Sequence, residues 1–270
     1  MPSSIRRHAF TLVELLVVIS IIGLLSTIAI VSMNASRDKA KQASGQSFDQ
    51  SVRHGIGDQT IGEWLFNECS GNTASDASGS GNTATFGVAS GWSTNTLTKT
   101  GCSAAFSGSN YLSTSLNLQS PSVTFTAWIY PTDVSGYNAI IAKDLQYKYM
   151  INNGNIYTLT SCNGTSWNGS DLTGTPVPAN TWSMSALSVD STNQTVTLYL
   201  NGHVAAKASA CTVAAYNSNA LAIGSDSASS AYHPFHGNID DARVYTTAIS
   251  LAQAHELYAE GLSSHQLANK

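Results

Sequence analysis

Val123-Thr124-Phe125-Thr126-Ala127-Trp128-Ile129-Tyr130, closed by Pro131, is the run on which the fold turns. Its β-branched and aromatic residues suit a pleated, buried strand, and a proline has no N–H to extend the ladder. Outward from it the same pattern repeats. Thr195 to Leu200 leads into Asn201-Gly202, the dipeptide of a type I′ turn, and then into His203 to Ala208, which predicts a hairpin. From Ile61 onward the chain is a series of short alternating runs bounded by turn residues, a spacing that suits an antiparallel sandwich or jelly roll. Ser, Thr, Asn, Gly and Ala crowd the chain after residue 55 and only 10% of residues are charged, a mix that favours strands and turns over helices. Helix is expected only at the end. There Ser250 caps a segment carrying Leu251, Ala254, His255, Leu257 and Tyr258, and Gly261 is expected to stop it.

The start of the chain obeys a different rule. Met1 to Ala9 carries Arg6, Arg7 and His8, and the run from Phe10 to Val31 then has Glu14 as its one ionisable group. At ~1.5 Å per residue a helix of that length matches a hydrocarbon core of roughly 30 Å. The basic residues before it hold the N-terminus in the cytoplasm and send the rest across the membrane. An ordinary secretory signal would need a shorter apolar core and a small-residue cleavage site, for which Met33-Asn34-Ala35 is a poor candidate. Glu14 is the telling residue. A charge at the bilayer centre costs roughly 2.5 to 3.5 kcal/mol on insertion scales, so a lone acid there asks for a partner.

Ala9-Phe10-Thr11-Leu12-Val13-Glu14-Leu15 resembles the processing motif of type IV prepilins and type II secretion pseudopilins. The resemblance implies that a prepilin peptidase cuts between Ala9 and Phe10, that Phe10 becomes the methylated first residue, and that Glu14 pairs with the new amino group of a neighbouring subunit during assembly. An ammonium and a carboxylate brought together in lipid each offset a cost the other would bear alone. Ala9 departs from the family, which usually has glycine before the cut. Ser36 to His54 continues a helical pattern, with Phe48 and Val52 as an i, i+4 apolar pair and Gly55 and Gly57 beyond it. The expected organisation is a leader over residues 1–9, a transmembrane and assembly helix over 10–31, an exposed continuation and linker over 32–58, a sandwich over 59–262 and a tail over 263–270. The subunit would lie in the inner membrane before assembly and in an extracellular or periplasmic filament afterwards. A net charge of −4, with six of the twelve Lys and Arg residues before residue 54, offers no basic field for nucleic acid.

Gly62-Glu63-Trp64-Leu65-Phe66-Asn67, Asp76 to Asn82, Phe125 to Ile129, Leu198 to Gly202, Leu221 to Gly224 and Phe235 to Tyr245 occur in an order similar to the bacterial laminin-G-like, concanavalin-A-like jelly roll. That resemblance implies two packed antiparallel sheets, ligands that are glycans or proteins, and a frequent calcium ion. Four cysteines, Cys69, Cys102, Cys162 and Cys211, lie beyond the membrane segment, where disulfides are permitted and three connectivities exist. The matched topology favours Cys69 with Cys102 and Cys162 with Cys211. On a strand from Asn238 to Tyr245, alternation puts Asp240, Ala242 and Val244 on one face, expected to be core, and Ile239, Asp241, Arg243 and Tyr245 on the other. A buried Asp240 needs hydrogen bonds or a cation. The resemblance supplies the cation, a calcium site using Asp240 with Asp76 and Asn82, with backbone N–H groups as the alternative.

Catalysis finds little support in the residues. Glu63 and Glu68 point to opposite faces if they share a strand, Glu256 and Glu260 sit one helical turn apart, and no G-x-S-x-G elbow is present. No enzyme is expected. Trp64, Trp128 and Trp182 fall in strand patterns and are expected in the core, whereas Trp92, Tyr137, Trp167 and Tyr232 lie in Gly/Ser/Asn-rich surroundings and are the candidate ligand-binding aromatics. The expected function is a pilin-like or pseudopilin-like subunit displaying a binding or adhesion head. A purely structural filament subunit and a membrane-tethered glycoside hydrolase are the alternatives.

Overall fold

The computed structural model describes residues 12–13, 15–22, 57–97, 101–211 and 216–267, with side chains of the last helix through residue 262. The chain divides into two compact units, Met1–Gln50 and Ser51–Lys270. In the first, the described residues are helical, Ser20 Oγ donates to the Leu16 carbonyl at 2.8 Å, and Leu12, Val13 and Leu15 to Ile19 expose their apolar side chains. Among the described residues no helix is long and apolar enough to cross a membrane. Ala9, Phe10, Glu14 and the expected helical continuation before Gly57 lie outside the described residues.

The second unit is an all-β antiparallel sandwich with a C-terminal helix. Its strands in chain order are β1 Thr60–Trp64, β2 Thr73–Ala74, β3 Ala84–Phe86, β4 Trp92–Ser93, β5 Ser103–Ser107, β6 Leu112–Thr114, β7 Val123–Pro131 and β8 Tyr137–Lys143. The second half adds β9 Tyr147–Asn152, β10 Asn155–Thr160, β11 Asp171–Pro176, β12 Ser183–Asp190, β13 Thr195–Leu200, β14 His203–Ser209, β15 Leu221–Ile223 and β16 His236–Tyr245. One sheet has the order β14-β13-β12-β7-β16-β5-β4, with β1 also on β16, and the other runs β11-β10-β9-β8-β15-β6-β3-β2. The Asn201-Gly202 hairpin is present as expected, both residues having positive φ as a type I′ turn requires.

The core lies between the sheets. From β7 it takes Phe125, Ala127 and Ile129, and from the facing sheet Tyr147, Tyr149, Ile151 and Ile156, all fully buried. Trp128 belongs to a second apolar layer on the outer face of the first sheet. There Met184, Ala186, Tyr199 and Tyr245 are covered by the C-terminal helix Leu251–Leu267 through Ala254 and Leu257, and Trp128 stacks on Tyr258 at 5.7 Å between ring centroids. β7 is therefore buried on both faces, which explains its unbroken apolar character.

Three sequence expectations are corrected. The helix does not stop at Gly261 but runs to Leu267, into the expected tail. Gly261 serves proximity instead, since a Cβ there would overlap the Trp128 indole. The simple alternation along β16 also fails. Ile239 pairs with Ile129 and Asp240 with Trp128, but the next pair is Arg243 with Thr126, so three steps on β16 match two on β7. This one-residue bulge, with Asp241 at φ 44°, puts Ile239 with Ala242 and Val244 in the core and turns Asp240 and Arg243 to the helix-covered face. Finally, Trp182 is only half-buried at the edge of the second layer and donates to Asn95 Oδ1 at 3.3 Å.

Candidate functional site

Alternation in β9 builds the floor of the site. Tyr147, Tyr149 and Ile151 point into the core, so Lys148 and Met150 must point out. Register then places Met150 between Ala139 on β8 and Tyr157 on β10, and the three form a small apolar cluster on the outer face of the second sheet. Tyr137, at the start of β8 and 45% exposed, rests against Tyr157 with centroids 6.2 Å apart. Burial pushes the Tyr157 hydroxyl well above the usual phenol range, and its hydrogen bond to Asp171 on β11 adds to that rise.

Two loops close over this floor. Between β15 and β16 the Ser225 hydroxyl bonds the backbone at Ser230 and Tyr232, and the Asp226 N–H donates to the Tyr232 carbonyl at 3.0 Å. The resulting tight turn sets Tyr232 and His233 side by side, with centroids 4.1 Å apart, and His233 also packs on Tyr137 at 4.9 Å. Tyr232 is 56% exposed. The second loop joins β10 to β11 and carries Trp167. The Cys162–Cys211 disulfide and Asn217, whose side-chain amide donates to the carbonyls of Asp144 and Gly164, hold it in place.

Charge joins the two loops. Asp226, almost wholly buried, uses its Oδ2 to accept from Lys148 Nζ at 2.9 Å and to bond His233 Nδ1 at 2.7 Å. The Lys148 ammonium lies 4.9 Å from the Trp167 ring centroid and 5.9 Å from that of Tyr232. Asp226 Oδ1 is buried and meets no donor among the described residues. Exposed ring faces beside fixed polar groups are what a hydroxyl-rich, partly apolar ligand such as a sugar requires.

Of the four aromatics expected to bind ligand, three thus converge. The fourth, Trp92, lies in the other sheet, half-buried, edge-on to Phe86 and donating to the Gly71 carbonyl at 2.9 Å, so it serves as packing. The residues that join the three, Lys148, Asp226, His233 and Tyr157, were not singled out for this role by the sequence. His233 and His236 bracket Pro234 and Phe235, a spacing that could serve a metal but more often belongs to an exposed turn; here His233 bonds Asp226 while His236 bonds Asn138 Oδ1 at 3.0 Å.

The acids expected to share calcium are employed separately. Asp76 accepts three backbone N–H groups, from Glu63 and Ser78 on Oδ1 and from Asn82 on Oδ2. Burial raises its carboxyl, but a hydrogen bond from the Ser78 side chain together with these backbone bonds prevails and holds it below the usual carboxylate range. Asn82 itself donates its side-chain amide to the Ile61 carbonyl and offers its own carbonyl to Trp64 Nε1. Asp240 accepts from the N–H groups of Asp241 and Leu97. Both acids are thus met by backbone N–H groups, the alternative to a cation that the sequence left open. Among the described residues no group of three or more His, Cys, Asp or Glu is placed to hold a metal. The carboxylates that do gather, Glu63, Asp241 and Glu260, surround the buried Arg243 at 2.7 to 3.3 Å as a closed ion network beneath the helix. Cys69 is joined to Cys102, tying the loop after β1 to the start of β5.

Comparison with known proteins identifies the fold. A family model described as the concanavalin A-like lectin/glucanases superfamily matches residues 106–255, and a prokaryotic N-terminal methylation motif matches residues 5–30. Among solved structures, domain 4 of AbnA, an extracellular arabinanase from Geobacillus stearothermophilus in complex with arabinotriose, is 20% identical with a TM-score of 0.58, covering 74% of this chain and 98% of that one. The binding domain of Paraclostridial Mosquitocidal Protein 1 is 13% identical with a TM-score of 0.59, over 75% of this chain and 52% of that one. A structure of botulinum neurotoxin type C, whose cell entry depends on interaction with two ganglioside molecules, is 12% identical with a TM-score of 0.57, over 77% of this chain and 52% of its own. At these identities the likeness is one of fold. No curated protein matches the chain.

Proposed function

The chain belongs to the concanavalin A-like lectin/glucanases superfamily and carries an N-terminal methylation motif, and we propose that it is a pilin-like or pseudopilin-like filament subunit whose sandwich is a glycan-binding head. One observation carries the head's role: Tyr137, Trp167 and Tyr232, distant in sequence, meet around the Lys148–Asp226–His233 group on one sheet face. A sandwich serving only to pack against filament neighbours needs no such arrangement. A toxin binding domain and an arabinanase domain solved with arabinotriose, both among the structural neighbours, support the same reading. The motif supports processing by a prepilin peptidase and display outside the cell or in the periplasm. The fold also occurs in glucanases, but the acids that gather here are neutralised by Arg243, which supports binding over hydrolysis.

The unit Ser51–Lys270 has its own core and two disulfides, so it is suited to isolation. Screened on a glycan array, it is expected to retain a defined set of sugars and to lose them when Tyr232 is replaced by Ala. Filaments that assemble normally while the folded domain binds no glycan would favour the purely structural subunit.

A further inference from the structure

The charges around the aromatic site select among glycans, and we infer that its ligand is an uncharged oligosaccharide and not one bearing sialic acid, uronate or sulfate; this rests on the glycan-binding reading above. An acidic sugar needs an available cation. The one lysine in the site, Lys148, already has a carboxylate at 2.9 Å and two aromatic rings against it. Asp226 is almost wholly buried and holds that lysine from below, so a second carboxylate approaching Lys148 from solvent would meet an ammonium already neutralised. The same Asp226 oxygen binds His233 Nδ1 at 2.7 Å, so the imidazole is bound to that acid too.

Among the described residues no other lysine or arginine pairs with Asp226. Asp171 stands at the edge of the site through its bond to Tyr157 and adds negative charge there. Residues 59–262 contain five Lys and Arg against twelve Asp and Glu, a formal charge of −7. Of those five bases, Lys143 is fully buried with its amine on the carbonyls of Asn217 and Asn219, and Arg243 is enclosed by three acids. An anionic ligand would therefore be desolvated against a negative surface without a counter-charge, which costs more than the aromatic contact returns. A neutral sugar avoids that cost. Its C–H faces lie on Tyr232, Tyr137 or Trp167 while its hydroxyls meet the polar rim.

The test measures the Ser51–Lys270 unit against matched oligosaccharides, lactose with sialyllactose and xylotriose with its glucuronosyl derivative, beside arabinotriose, at low and high salt. The neutral member of any bound pair is expected to bind at least about tenfold tighter, with an affinity independent of salt, and Tyr232→Ala and Trp167→Ala are each expected to weaken it about tenfold. Asp226→Asn, which releases Lys148, is expected to shrink the preference for the neutral member. Equal or tighter binding of the acidic members, or strong weakening by salt, overturns this inference and leaves the glycan-binding reading standing. Sugar binding that survives both aromatic substitutions puts the ligand elsewhere and also overturns it. A folded domain that binds no sugar of either kind overturns both.

Discussion

Asp240 shows how far one buried residue can depart from its ordinary chemistry. Burial, and after it the charge of Asp241, pushes its carboxyl up to about 7, against which two backbone N–H bonds act. A carboxyl raised in the folded state binds its proton more tightly there than in the unfolded chain. Its contribution to stability is therefore complete at acid pH and is lost as pH rises from about 4 to about 7. Asp240→Asn keeps one acceptor oxygen and removes the titration. The variant is expected to gain up to about 4 kcal/mol at pH 8 and to flatten the stability profile between those limits, measured by urea unfolding at several pH values. A wild-type profile with no fall across that range would contradict the assignment. Because N–H donors already satisfy both Asp240 and Asp76, melting of the domain is expected to be the same in calcium and in chelator. A calcium-dependent rise in Tm lost in Asp240→Ala would restore the ion.

At the scale of elements, the C-terminal helix is a functional part of the core. Ser250 and Gln253 form a reciprocal cap, the Ser250 N–H donating to Gln253 Oε1 at 2.8 Å and the Gln253 N–H to Ser250 Oγ at 3.3 Å. Gly261 then lets the helix approach Trp128, and Arg243 reaches Glu260 at 3.2 Å. Gly261→Ala is favourable for an isolated helix but must displace the indole, so a net loss of about 1 to 3 kcal/mol is expected in denaturation. A gain in stability would show that the close approach is dispensable. The loops respond differently. The disulfide Cys162–Cys211 restrains the segment carrying Trp167, whereas Cys69–Cys102 lies at the other end of the topology. Replacing either pair by serine is expected to cost about 2 to 5 kcal/mol. Loss of the Cys162 pair should also weaken glycan binding in protein that remains folded, and loss of the Cys69 pair should not.

On the scale of the whole molecule, the proposed filament role joins two units with different solvents. The described residues of the first expose Leu, Val and Ile side chains that only lipid or other apolar helices would cover, while the second buries its apolar residues between sheets and under a helix. The mature protein is expected to begin at Phe10, methylated, and to have lost Arg6 and Arg7, which mass spectrometry of the N-terminus reads directly. A terminus near Ser36 would instead identify an ordinary signal peptide. Glu14→Val should insert at least as well as the natural chain yet fail to enter filaments, because the neighbouring amine loses its counter-charge. Normal incorporation of that variant would remove the role given to Glu14.

The amino-acid sequence by itself determined the two-part plan, the strand nature of Val123–Pro131, the Asn201-Gly202 hairpin and the aromatic character of the candidate site. Each depends on local rules: apolar run length, two-residue alternation, or the φ values a turn allows. Tertiary structure decided what those rules cannot reach. Asp240 and Ile239 exchanged faces because a bulge at Asp241 inserts one residue into the ladder, and one extra residue reverses every later side chain on the strand. Gly261 proved to be a packing residue because the indole it accommodates comes from a strand more than a hundred residues earlier. The site itself was half visible. Tyr137, Trp167 and Tyr232 could be picked out as aromatics in polar loops, but Lys148 and Asp226 look like any solvated charges until strand register and two loop closures bring them within 2.9 Å of each other.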